Sequence, residues 1–374
     1  MPKVQGLGML IQDQQAFCDR IRPVMDLPVC AIDTEFVWRK TYAPRIGLIQ
    51  IAAPGNHTFA IDPLAVTDPT PLAELLANQN CLKVFHACSQ DLEVLHQHCG
   101  QLPDPLLDTQ IAGAMLDMGY QIGYADLVNR CLDISISKSQ QFTDWCRRPL
   151  TPAQLEYAAK EVSLLLRCYD HLLNRLQQQD RLTWAMEDAA TLLSNFRQQV
   201  NDPPPAWKRI RGTGRLNSQQ LGILNCLAEW RSAHAESIDK PPRWIIDDKT
   251  LLSLARLQPD NCNELLQLTG IDAQACERWS KKLLQCIASG RDNPVKPTTN
   301  RRRGSIHAEK QLVRTALDRI NEVSRKLGVA TEVLATKEAI TNFVRQPAKA
   351  SHLTSGWRST VIGEMLSDLV PPAS

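Results

Sequence analysis

The sequence predicts an α/β domain, a mixed sheet with flanking helices, followed by an all-helical second half. Three observations predict it. Three strand-length apolar stretches come early, in succession, separated by tight turns. From there to residue 204, helical segments alternate with a further strand-like run. Beyond the proline-rich break Asp202-Pro-Pro-Pro-Ala206, helical patterns dominate.

The elements follow in order. Residues 11–26 are spaced as a helix. The apolar run Pro28-Val-Cys-Ala-Ile32 has the length of a buried strand and continues into Ala31-Ile-Asp-Thr-Glu-Phe36. Residues 45–52 and 57–62 read as two more strands around a turn at Pro54-Gly-Asn56, which makes an antiparallel meander. A helix is expected from about Pro71 to Ala77, a strand over Cys81–His86 and a helix from near Ser89. Pro103–Pro105 breaks the chain before Leu106-Leu-Asp-Thr-Gln110, which opens another apolar segment. Helices then dominate: Ile111–Leu116, Tyr124–Cys131 and a long one from Pro152 to about Gln179. After the break come Gln219–Ala233, Asp248–Leu257, Cys262–Thr269 and Ala273–Ile287.

A chain of 374 residues with 43% apolar composition buries sizeable cores and divides into two or three domains. No apolar run approaches the ~20 residues a bilayer demands. The start, Met1-Pro-Lys-Val-Gln-Gly6, lacks the pattern of a signal peptide. A cytoplasmic protein with no membrane partner is expected. The twelve cysteines include no Cys-x-x-Cys pair, which argues against a zinc ribbon and for reduced, buried thiols. The net charge of +2 conceals an asymmetry. Residues 1–204 carry 16 Lys and Arg against 23 Asp and Glu; residues 205–374 carry 26 against 17. An acidic half suited to metal, joined to a basic half suited to phosphate, points to a nucleic-acid partner.

The chemistry centres on Asp33 and Glu35. Side chains alternate along a strand, so both point to one face. Two acids there repel each other and lose hydration, and a cation would neutralise them. Hard ions such as Mg²⁺ or Mn²⁺ take oxygen ligands, so the pair is half a metal site. Read alone, the motif is weak, because two exposed acids in a loop are the commoner state of such a pair. Asp91, near the start of the helix after the fourth strand, is also what a helix dipole favours. Tyr157 and Glu161 share one helix face at i, i+4. Together the four acids and the tyrosine are parts for two-metal phosphodiester hydrolysis.

In this order Asp33-Thr-Glu35, His86-x₄-Asp91 and Tyr157 with an acid four residues on resemble the motifs of the DEDD exonucleases, tyrosine subgroup. Tyr42-Ala-Pro-Arg-Ile-Gly-Leu-Ile-Gln-Ile51, Ile61-Asp-Pro-Leu64, the stretch from Val84 to Val94, Asp108-Thr-Gln-Ile111 and Thr143-Asp-Trp-Cys-Arg-Arg-Pro-Leu150 resemble the ribonuclease D family in particular. The resemblance covers nearly the whole chain. It implies a ribonuclease-H-like 3′-5′ exonuclease domain that uses two divalent cations, Mg²⁺ or Mn²⁺. Asp33 would bridge both metals, Glu35 and Glu161 would hold the one carrying the attacking water, Asp91 would serve the second, and Tyr157 would position the water. Asp108 and His86 are expected in structural roles.

Glu161 departs from the family, which has aspartate there. The extra methylene moves the carboxylate by roughly 1.5 Å, so reduced but not abolished activity is expected. Lys160 beside it is expected to be solvated. In the second half, Leu227-Ala-Glu-Trp-Arg231, Pro241-Pro-Arg-Trp-Ile-Ile-Asp247 and Leu251-Leu-Ser-Leu-Ala255 resemble the HRDC domain shared by helicases and ribonuclease D. The expected layout is an exonuclease domain at 1–204, a first HRDC domain at 205–290, a basic linker at 291–304 and a second, divergent HRDC-like domain at 305–374. Two such modules suggest a clamp on structured RNA. Lys138, Arg147 and the linker residues Arg301, Arg302 and Arg303 are candidates for phosphate contact; surface charge accounts equally well for the first two, and a solvated linker is the commoner state of the arginine run. The expected activity is release of 5′-mononucleotides from the 3′ ends of tRNA precursors and other small structured RNAs, by a monomer. An RNA-binding protein with an impaired exonuclease site, or a DNA exonuclease, are the alternatives.

Overall fold

The computed structural model describes residues 10–369 apart from 39, 56, 138, 268–270, 272, 298–305 and 348–350. The chain forms two compact units: residues up to 37, 46–197 and from 303 onward make the first, and residues 38–45 and 198–302 make the second.

The first unit opens with β1 (Leu10–Ile11), α1 (Gln14–Met25), β2 (Val29–Val37), β3 (Arg45–Ala53) and β4 (His57–Ile61). Then come α2 (Thr70–Ala77), β5 (Leu82–Phe85), α3 (Ser89–Cys99), β6 (Leu106–Asp108), α4 (Thr109–Met115), α5 (Tyr124–Leu132), α6 (Pro152–Gln178) and α7 (Leu182–Asn201). The strands form one mixed sheet in the order β1-β4-β3-β2-β5-β6. Strands β3 and β4 pair antiparallel, whereas β2 with β5, β5 with β6, and β1 with β4 pair parallel. Three differences from the sequence expectation stand out. Ile11 lies in a short edge strand and not in the first helix, Leu106–Asp108 is a sixth strand, and α7 had no expectation attached to it.

Both faces of the sheet are covered, and strand alternation decides which residue serves which face. Val29, Ala31, Val84 and Leu107 pack with Ala112 of α4, Leu127 of α5, and Val162, Leu165 and Leu172 of α6. The alternate residues Cys30, Ile32, Ile51 and Phe85 pack with Phe17 and Ile21 of α1, Leu75 of α2 and Leu92 of α3. Each fully buried Leu, Ile or Phe contributes about 1.5–3 kcal/mol. By the same alternation, positions 33 and 35 face α6, and position 34 faces α3.

The start of α6 is fixed by its sequence. Pro152 takes the first helical position, and Thr151 and Gln154 cap reciprocally. That sets where Tyr157 and Glu161 fall along the helix. The segment before it is stapled by Arg148, whose guanidinium holds both oxygens of buried Asp62, at 2.7 and 2.5 Å, and the Gly47 carbonyl at 2.7 Å. Gly47 admits no larger residue, because an added Cβ would sit 2.5 Å from the Trp145 carbonyl oxygen.

The C-terminal helices belong to this same unit: α13 (Ile306–Leu327), α14 (Thr331–Leu334), α15 (Lys337–Arg345), α16 (Gly356–Arg358) and, after a π-turn over Ser359–Gly363, α17 (Glu364–Leu369). Their core residues Ile320, Leu334, Trp357 and Leu366 are continuous with the α6 side of the sheet. Trp357 stacks on Trp184 of α7 with ring centroids 4.5 Å apart, and the Arg358 guanidinium covers its other side at 4.2 Å. Asp188 accepts from the Trp357 indole N–H and from Arg358, and Glu187 accepts the Trp357 main-chain N–H.

The second unit packs α8 (Ser218–Ser237), α9 (Pro242–Ile245), α10 (Asp248–Leu257), α11 (Cys262–Leu266) and α12 (Ala273–Asp292) around Leu224, Leu227, Leu254, Leu265, Leu283 and Ile287. Buried Arg231 pairs with Asp248 at 2.8 Å and donates to the Ile246 carbonyl. Among the described residues, no helix is long and apolar enough to cross a membrane.

Candidate active site

The parallel register of β2 with β5 reaches Ala31 opposite Val84, and β2 runs on beyond it. The two residues that follow on the α6 face are Asp33 and Glu35. They therefore stand near the C-terminal ends of parallel strands, where open α/β sheets bind their ligands. From α6, Glu161 comes up to meet them. Carboxylate oxygens of Asp33, Glu35 and Glu161 lie within 4.8 Å of one another.

Burial raises the proton affinity of all three acids. Burial, and then the nearby Glu161 carboxylate, raise Asp33 well above the usual carboxylate range. Burial, then Asp33 and Glu161, push Glu35 up to about 11. Burial raises Glu161 to about 7, against hydrogen bonds from Tyr157, Glu35 and Asp33 that pull it down. Each side chain keeps some solvent contact, as access for an ion and water requires. One oxygen of Glu161, Oε2, is buried without a hydrogen-bond partner. An all-oxygen donor set with an unsatisfied buried carboxylate oxygen fits a hard divalent cation.

Asp91 stands apart from this trio for a topological reason. It rises from the first turn of α3, on the opposite face of the sheet, and is itself buried. Thr34, which alternation points to that face, donates its hydroxyl to Asp91 at 2.5 Å. Burial and then the charge of Asp33 raise Asp91, so the two carboxylates interact although Asp91 lies outside the close trio.

The turn presenting Asp91 is strained and held from below. Ala87 adopts a left-handed conformation at φ 55°, which costs a non-glycine residue about 1–2 kcal/mol. Asp108 accepts the Ala87 and Cys88 main-chain N–H groups at 3.0 and 2.9 Å and caps α4 through Gln110. His86 lies 2.9 Å from the Thr109 hydroxyl, which donates to the Phe85 carbonyl. Thr109 must then accept from His86, so the proton sits on Nδ1. Both residues thus build the turn.

Burial, followed by the charge of the Glu161 carboxylate, holds the Tyr157 hydroxyl well above the ordinary phenol range. Its ring lies 6.2 Å from buried Trp145. Lys160 pairs with Glu156 on the exposed side at 2.6 Å, as its solvated position predicts. Two residues escaped the sequence reading. Thr34 orients Asp91, and Tyr124 donates to the main-chain carbonyl of Glu161 while tilting against His86. Alternation flagged the face of Thr34; nothing in the sequence marked Tyr124. Of the residues expected to meet phosphate, Arg147 is exposed, and Lys138, Arg301, Arg302 and Arg303 lie outside the described residues.

Comparison with known proteins matches this geometry. A 3′-5′ exonuclease family profile matches residues 9–177, and an HRDC domain profile matches residues 220–287. Ribonuclease D of Pseudomonas paraeruginosa is 33% identical over 369 residues, covering 97% of both chains. Ribonuclease D of Escherichia coli K12 is 32% identical over 96% of this chain and 98% of its own. The crystal structure of the Escherichia coli enzyme, described as an exoribonuclease involved in structured RNA processing, superposes with a TM-score of 0.87 at 31% identity, over 96% of this chain and 98% of that one.

Proposed function

The chain belongs to the ribonuclease D family of 3′-5′ exoribonucleases, and from that premise we propose that it trims the 3′ trailers of tRNA precursors and other small structured RNAs, releasing 5′-mononucleotides. The observation carrying the proposal is the meeting of Asp33, Glu35 and Glu161 within 4.8 Å, with one Glu161 oxygen unsatisfied.

Asp33, Glu35, Glu161 and Asp91 would hold two divalent cations, Mg²⁺ or Mn²⁺. When bound, such ions polarise the scissile phosphate and supply hydroxide at neutral pH. Asp33 is central, coupled to Glu161 on its own face and to Asp91 across the sheet edge. Tyr157 keeps its proton at neutral pH and offers the hydroxyl that orients the attacking water. Tyr124 fixes the main chain beneath Glu161, which limits how far the longer side chain moves. Exposed Arg147, with Lys138, Arg301, Arg302 and Arg303, supplies positive charge for RNA phosphates. The enzyme acts as a monomer in the cytoplasm.

Glu161 raises the rival reading of an RNA binder with an impaired site. The clustering of its carboxylate with the other two weighs for activity, reduced by the added methylene but present. The test is release of 5′-mononucleotide from a tRNA with a short 3′ extension, in Mg²⁺ or Mn²⁺, by the native chain, Glu161→Asp and Asp33→Ala. Trimming by the native chain and silence from Asp33→Ala is expected. Activity confined to Glu161→Asp would establish the RNA binder, and faster cleavage of a DNA of the same sequence would make it a DNA exonuclease.

A further inference from the structure

An open groove of about 630 Å³ lies in the first unit, its lining including Asp117, Met118, Arg130, Arg175, Gln179 and Arg181. It adjoins a second hollow of about 330 Å³ through Met118 and Arg130, which line both. Three arginines against one lining carboxylate make the groove strongly cationic. Arg181 is committed to structure, since it donates to the main-chain carbonyls of Met115 and Leu327. Arg130 and Arg175 are not: among the described residues, neither side chain donates a hydrogen bond or pairs with an acid. Free guanidiniums beside a fixed one suit bidentate recognition of phosphate.

The groove also has a defined relation to the catalytic acids. Arg175 and Tyr157 both lie on α6, 18 residues apart. At 3.6 residues per turn that is five turns, so both sit on one stripe of the helix about 27 Å apart. A single strand stacked at 3.4 Å per nucleotide spans that distance in about eight nucleotides. A small-molecule site would be enclosed and mainly apolar; this groove is open and polar.

We propose that the Arg130–Arg175–Arg181 groove binds the phosphodiester backbone of the RNA strand some eight nucleotides upstream of its 3′ end. The inference rests on the exoribonuclease reading and deepens it. Arg130 and Arg175 are positioning residues: they hold substrate far from the reacting bond and set its residence, not the chemical step.

The test compares the full-length native chain, loaded with Mg²⁺, with R130Q/R175Q on a 20-nucleotide oligoadenylate and on a dinucleotide too short to span the distance. For the 20-mer, KM should rise on the order of tenfold at unchanged kcat. The dependence of log kcat/KM on log salt should become shallower by about 1.4, that is ~0.7 for each single-strand phosphate no longer neutralised. Dinucleotide hydrolysis should be unchanged, and R130K/R175K should recover most of the 20-mer affinity. Equal KM and salt slopes for the native chain and R130Q/R175Q would overturn the proposal. Saturable binding of AMP alone, lost in R130Q/R175Q while 20-mer KM holds, would make this a free-nucleotide site and also overturn it. If the native chain released no nucleotide, the exonuclease reading would fall; anisotropy of the labelled 20-mer would still decide the groove, an unchanged Kd refuting it.

Discussion

Asp33→Asn should make the metal-free protein more stable while destroying its activity, and the magnitude follows from the carboxylate trio. Burial is the main cause that moves Glu161 from 4.5 to about 7, a difference worth about 3 kcal/mol at 1.36 kcal/mol per unit, and burial followed by the Glu161 charge raises Asp33 as well. The native state binds the Glu161 proton more tightly than the unfolded chain does. The Glu161 contribution to stability is therefore intact below pH 4.5, falls as pH rises towards 7, and is about 3 kcal/mol lower above that. In EDTA, the calorimetric transition of the unit holding the site should drop by roughly 6–12 °C between pH 5 and pH 8, at 2–4 °C per kcal/mol. In Asp33→Asn the part of the drop due to Asp33's own raised carboxyl should vanish, and the part that burial of Glu161 causes should remain. Mg²⁺ or Mn²⁺ should restore the native protein's melting temperature at pH 8 but do little for the variant. Nucleotide release should fall at least ~100-fold. A metal-free melting temperature indifferent to pH, or a variant less stable than the native chain at pH 8 in EDTA, would refute the reasoning.

Three further outcomes are expected. Tyr157→Phe should lower kcat by on the order of 100-fold with melting temperature and Mn²⁺ affinity held, because the ring stays packed near Trp145; comparison of kcat with a Mn²⁺ titration checks it. Arg148→Ala should cost about 3–5 kcal/mol in denaturant unfolding, since it strands the buried Asp62 carboxylate. Trp357→Ala should destabilise the first unit by about 3–5 kcal/mol and expose Trp184 to collisional quenching, while the transition of the second unit stays in place.

Much of the fold was legible because its cues are local. Period-2 alternation around Asp33 and Glu35 placed them on one face, and the i, i+4 spacing of Tyr157 and Glu161 put tyrosine and carboxylate together, as observed. The long helix expected from Pro152 to about Gln179 matched closely, at Pro152–Gln178. What escaped rests on pairings between distant residues. Leu10 and Ile11 form a strand only because Ala60 and Ile61 lie alongside. The staple of Arg148 on Asp62 spans 86 positions, and no spacing rule connects them. That Asp91 lies outside the close trio could not be read either, because a sequence motif says nothing about which face of the sheet a helix covers. Docking of the last helices through Trp184 and Trp357 was equally invisible, since each tryptophan read alone is a core aromatic.

That docking has a consequence during translation. The first unit takes its core from both ends of the chain, from Val29 to Leu366, so it cannot close when its N-terminal two hundred residues leave the ribosome. The second unit, nearly continuous over 198–302, emerges complete while the first still waits. At 5–20 residues per second, α7 remains uncapped for roughly 10–30 s before Trp357 arrives. A chain cut short near residue 302 would keep all four acids and Tyr157, yet leave Trp184 and the apolar flank of α6 open to water. Such a fragment would offer that exposed apolar surface to chaperones and proteases.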